Sequence, residues 1–123
     1  MAVLSTTLDK LSHFALAPTA ERTADLDGTA VDLNNYEGDV VVILDVENGG
    51  TSTLDVKIQA SDTEGGTYSD VTGAAFTQVS TSASKQTLVF AKGSTKRWVK
   101  AVSTTSTSTH TYSINAFGAL KYA

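Results

Sequence analysis

The 123-residue chain contains no cysteine and one proline, Pro18. Without cysteine there is no disulfide framework, thiol nucleophile or thiolate metal site. Charged residues make up 18% and aromatic residues 7%, which leaves little material for a charged cleft or a stacking platform. Long apolar runs are also missing. The longest, Val40–Leu44, is far short of the roughly 20 residues a membrane helix needs. The opening Met1–Thr7 carries no basic stretch followed by an apolar one, so no signal peptide is expected. These absences lead us to expect a soluble protein made in the cytoplasm.

Catalytic signatures are absent as well. There is no H-E-x-x-H, no G-x-S-x-G and no G-x-x-x-x-G-K-[ST]. The two histidines, His13 and His110, are far apart and lack ligand-spaced partners. His110 opens a strand pattern and reads as a surface or edge residue. Asp25-x-Asp27-Gly28 has the start of a calcium loop without its remaining ligands, and a hairpin turn explains it better. Asp62, Glu64 and Asp70 surround a glycine turn, where turn chemistry accounts for them as well as weak cation binding does. The cluster Lys92, Lys96, Arg97 and Lys100 around Trp98 resembles a single-strand groove. The chain is nevertheless acidic, with a net charge of −4, whereas nucleic-acid domains are usually basic. No enzyme activity, cofactor, metal, nucleic acid or membrane is expected.

What is present is a strand-forming composition rich in Ser, Thr and Val. Leu54, Val56, Ile58 and Ala60 alternate strictly with Asp55, Lys57, Gln59 and Ser61, the pattern of a half-buried antiparallel strand. Asp39–Val46 carries Val40, Val42, Leu44 and Val46 on one face and Val41 and Ile43 on the other, so both faces should be covered over part of its length. Asn48-Gly49-Gly50 between the two segments predicts a hairpin. A second hairpin is expected at Asp27-Gly28, between Thr23–Leu26 and Thr29–Leu33. Further strands are expected at Tyr68–Val71, Ala75–Val79, Thr87–Ala91 and Lys96–Val102, and from His110 to Ala116. Ser103–Thr109 reads as a loop or the frayed end of a long hairpin. The whole is an all-β antiparallel sandwich, jelly-roll or immunoglobulin-like, over residues 23–123.

Residues 1–22 differ. Leu4, Leu8, Leu11 and Ala15 fall on one helical face, and Thr6 and Asp9 have capping-box spacing. They predict a short amphipathic helix ended near Pro18, or an extended arm. Leu4, Leu8, Leu11 and Phe14 are the candidate contacts with a capsid or another subunit. Charge is also uneven. Up to Asp70 there are thirteen acidic and three basic residues, and after it six basic and no acidic residue. Either strands of the two parts interleave and neutralise one another, or the subunit is polar and meets a neighbour's opposite side.

The segment from Leu54 to Val71 contains Lys57-Ile58-Gln59-Ala60-Ser61-Asp62, Gly65, Tyr68 and Asp70-Val71. It resembles a K-I-Q-x-S-D-x-x-G-x-x-Y-x-D-V stretch of small virion proteins of tailed bacteriophages. Thr29–Gly38, Arg97–Val102 and Tyr112–Ala116 look like theirs too, so the resemblance covers about residues 23 to 120. It implies a capsid decoration or cement protein, a homo-oligomer (dimer or trimer) bound to the major capsid protein on the capsid exterior of the virion. It defines no functional residue. The other readings are a phage tail, neck or fibre component, or a small host-surface or glycan-binding module.

Overall fold

The computed structural model describes residues 11–22, 24–48, 53–80, 82–91, 95–105 and 109–120. They form β1 (Leu11–Arg22), β2 (Leu26–Asp27), β3 (Val31–Asp32), β4 (Tyr36–Asn48), β5 (Leu54–Ser61), β6 (Ser69–Ala75), β7 (Ser84–Ala91), β8 (Trp98–Thr105) and β9 (His110–Leu120). Two antiparallel sheets pack as a sandwich. Sheet A has the order β1-β9-β4-β7, and sheet B the order β2-β8-β5-β6, with β3 also paired to β8.

Period-two alternation builds the core. Val40, Val42, Leu44 and Val46 of β4 and Ile114 and Ala116 of β9 are buried on sheet A. Leu54, Val56, Ile58 and Ala60 of β5 and Val99 and Ala101 of β8 are buried on sheet B. Each full burial of a Val, Leu or Ile side chain stabilises by about 1.5–3 kcal/mol, so these rows dominate the fold.

Both expected hairpins are corrected. β4 and β5 do not pair, because they lie in different sheets and meet face to face through their apolar rows. Local alternation is the same whether a chain turns within a sheet or crosses between sheets; only distant partners decide. Leu26–Asp27 and Val31–Asp32 do not pair with each other either. Both run along the edge of β8, with Leu26 opposite Ser103 and Val31 opposite Val99. Gly28 lies between them and donates its N–H to the Ala101 carbonyl at 2.9 Å. A Cβ there would come within 2.7 Å of that oxygen, so this glycine serves close approach rather than a turn. Ser103–Thr105 continue β8, and β8 and β9 sit in opposite sheets, so this region is no hairpin end. Ser69–Ala75 form a single strand, and Gly73, at φ +79, sits where the register against β5 shifts.

The expected helix or free arm is replaced over residues 11–22 by β1, which pairs with β9 at the edge of sheet A. Its register shifts between Ala15 and Ala17 and again between Ala17 and Ala20, around Pro18. Arg22 holds this irregular stretch, donating to the carbonyls of Pro18 at 2.6 Å and of Tyr112 at 2.9 Å. Leu16 and Ala17 enter the core, so this part of the N-terminal region belongs to the sandwich.

Candidate functional site

Sheet A turns Phe117, Val41 and Val89 to the outside in one row with His13. Across its four strands His13, Phe117, Val41 and Val89 lie side by side. In the next row Ala15, Asn115, Ile43 and Thr87 do the same. Phe117, Val41 and Ile43 are half-buried by their neighbours within the sheet, while Val89 is 53% exposed. Val89 is the one exposed large hydrophobic residue among those described. No described strand lies over this face. The His13 ring packs on Phe117 with centroids 5.1 Å apart and bonds Asn115 Oδ1 through Nε2 at 3.0 Å. Asp45 and Lys85 are register partners at one end of the face, and Asp39 and Ala91 at the other.

The outside of sheet B is the opposite in character. Arg97 grips Asp32 through two bonds of 2.9 and 2.8 Å. Lys100 Nζ lies 2.6 Å from Asp27, and Lys57 Nζ lies 3.0 Å from Asp70. Bonds from Gln59 and then Lys57 hold the Asp70 carboxyl below its usual range. The Asp32 carboxylate pushes the Arg97 guanidinium further up. Two of these pairs join the basic late segment to the acidic early one, and β8 and β9 lie between early strands. The uneven charge therefore arises from interleaved strands, and the two ends of the chain neutralise each other across the β8 seam.

Groups considered for chemistry are dispersed. Asp25 accepts the Thr105 N–H at 2.9 Å, which ties it to β8 rather than to a cation. Among the described residues no group of His, Asp and Glu is placed to hold a metal. Lys100 Nζ covers one face of Tyr68 at 4.3 Å, and the Arg97 guanidinium lies 5.6 Å from the Trp98 centroid. Phe90, close to this basic cluster in sequence, is buried in the core from β7 of sheet A, whereas Trp98 lies on β8 of sheet B. His110 is fully buried, which corrects the surface or edge placement. It pairs with Arg22 across β1 and β9, and burial lowers its pKa.

Of the four candidate contact residues, Leu4 and Leu8 lie outside the described residues. Leu11 opens β1 opposite Ala119. Phe14 is half-buried against the core, its ring 5.3 Å from that of Tyr36. The outer row of sheet A was not among the candidates. Its trace in the sequence is the second apolar face of Asp39–Val46, carried by Val41 and Ile43.

No family model matches the chain, and no curated protein matches it. Solved structures share its fold. One is the SPBc2 prophage-derived protein YomS, with a TM-score of 0.53 at 11% identity over 88% of this chain and 91% of that one. A chain in the infectious bursal disease virus Gt strain structure has a TM-score of 0.56 at 11% identity; it covers 91% of this chain but 32% of its own length. The CBM22-1 xylan-binding domain of Paenibacillus barcinonensis Xyn10C has a TM-score of 0.50 at 13% identity, over 92% of this chain and 83% of that domain. At these identities the likeness is one of fold.

Proposed function

We propose that this chain is a structural virion protein that decorates and stabilises a tailed-phage capsid, binding the major capsid protein shell from outside as a homo-oligomer. The observation that carries the reading is the outer face of sheet A, where Phe117, Val41, Ile43 and Val89 form an apolar centre with polar residues around it, while the outside of sheet B is laced with ion pairs. An apolar centre with a polar rim, uncovered by any described strand, is suited to docking against another surface. The fold shared with a prophage-derived protein and a viral chain supports a virion setting. The Lys57–Val71 segment supports the tailed-phage side of it.

The test is co-sedimentation of the purified chain with phage heads that lack it. Saturable binding is expected, and Ile43→Asp, in the middle of the face, should abolish it while far-UV circular dichroism stays unchanged. Binding by the folded variant equal to that of the parent would rule out this face. Binding to tails alone would move the protein to the tail, neck or fibre reading.

A further inference from the structure

Beside Lys100 the outside of sheet B is hollow. Lys100 alternates with the buried Val99 and Ala101 of β8, so its side chain stands on the outer face. Residues 28–30, between β2 and β3, run on one side of it, and the connection from β5 to β6, residues 62–68, on the other. Gly28, Thr29, Ala30, Glu64, Tyr68 and Lys100 line an open depression of about 350 Å³. That is the lower end of the roughly 300–1,000 Å³ of small-molecule sites. Both walls are fixed. Gly28 donates its N–H to the Ala101 carbonyl, and Asp27 beside it holds Lys100 Nζ at 2.6 Å. Opposite, the Tyr68 hydroxyl donates to the Glu64 carbonyl at 2.8 Å, and the Gly66 N–H donates to the Thr63 carbonyl at 3.2 Å. Lys100 Nζ, 4.3 Å from the Tyr68 ring centroid, ties one wall to the other. Tyr68 belongs neither to the core nor to the side chains packed against it. A large ring held by its face and by its hydroxyl, outside the core, is placed for contact with something else.

The lining restricts what that can be. Asp27 neutralises Lys100, and Glu64 adds a second carboxylate, so a phosphate or sulfate would meet a negative rim. Apart from the ring, alanine is the largest apolar side chain in the lining, which gives an apolar anchor of a peptide nothing to fill. What remains is one aromatic wall flanked by a hydroxyl, carboxylates and an ammonium. A sugar matches that set, with apolar C–H groups on the faces of its ring and hydroxyls around it. Those hydroxyls both donate and accept, and the depression answers with a donor in Lys100, acceptors in Glu64 and Asp27, and either in Thr29. We propose that this depression binds a neutral saccharide, one pyranose unit at a time, against Tyr68. The site goes beyond the capsid reading and does not depend on it. Sheets A and B turn their outer faces to opposite sides of the sandwich, so a copy seated through sheet A leaves the depression open to the medium. A shallow site leaves much of the sugar hydrated, and a Kd of about 1–10 mM is expected.

Nuclear magnetic resonance of the full, isotope-labelled chain is the test. The probes are the methyl glycosides of glucose, galactose, mannose, xylose and N-acetylglucosamine, each raised to about 100 mM. At least one should shift the backbone amides that line the depression, saturably, and leave those of Val41 and Phe117 in place. Tyr68→Ala should weaken that binding about tenfold and Thr29→Val about threefold. Both variants should melt with the parent, since neither side chain is in the core. Amides unmoved by every probe, shifts centred elsewhere, or an affinity indifferent to both substitutions would overturn the site. So would inorganic phosphate that moves the same amides at a lower concentration than any of the sugars. A chain that binds phage heads and ignores the sugars would remove this site and keep the capsid reading. A chain that binds a sugar here and ignores heads would do the reverse.

Discussion

The hydroxyl of Ser103 on β8 lies 2.7 Å from the phenolic oxygen of Tyr112 on β9, a buried hydrogen bond that joins sheet B to sheet A through the core. Ser103 Oγ also accepts the Leu26 N–H at 3.2 Å and so holds the β2 edge. On the Tyr112 side, the Arg22 guanidinium covers the ring at 4.7 Å. One hydroxyl thus ties an edge strand, its own strand and the facing sheet.

The two partners should differ when removed. Tyr112→Phe deletes one hydroxyl and leaves Ser103 bonded to Leu26, so a loss of about 1 kcal/mol is expected. Ser103→Ala strands both the Tyr112 hydroxyl and the Leu26 N–H and should cost about 2–3 kcal/mol. Urea unfolding of the two variants checks the order, and the reverse order would mean that Ser103 is not the shared partner of Leu26 and Tyr112.

Gly118 lies beneath Tyr36, where an added Cβ would come within 2.7 Å of the ring. That ring packs on Phe14, and its hydroxyl donates to Ser12 at 3.2 Å. Gly118→Ala should therefore destabilise by about 1–3 kcal/mol through overpacking. The change should loosen β1 first, visible as faster amide exchange in β1 than in β5.

Gly28→Ala sets a methyl against the Ala101 carbonyl oxygen, a backbone atom of a central strand. Release of β2 and β3 from β8 is expected, with a fall in melting temperature. A variant that melts with the parent would show that this edge already lies further from β8.

Buried His110 has a lowered pKa, so the folded protein resists its protonation while the unfolded chain does not. Its stabilising contribution is complete above the unfolded value near 6.5 and is lost as pH falls below it. Stability should drop between pH 7 and 5.5 by at most about 1.4 kcal/mol per pH unit, and His110→Leu should flatten that slope. Urea midpoints across this range are the measurement; a flat parent would contradict the burial.

The strand content was legible because alternation is local. Leu54 to Ser61 and Val40 to Val46 bury the rows their pattern marks. Pairing was not legible, because Val40–Val46 finds its neighbours in β7 and β9, some forty or more residues away, instead of in the next strand. Asp27-Gly28 has hairpin chemistry, but the Ala101 carbonyl claims the glycine. His110 looked exposed because its cover comes from distant strands. The outer face of sheet A was half legible. Val41 and Ile43 announced a second apolar side, yet Phe117 and Val89 join them only once the register is known.

Cryo-electron microscopy of the phage particle carrying this chain tests the central claim most directly. The account predicts sandwich density at regular positions over the head, with Val41, Ile43 and Phe117 turned toward the major capsid protein. Density confined to the tail or one vertex, or sheet B turned to the shell, would contradict it.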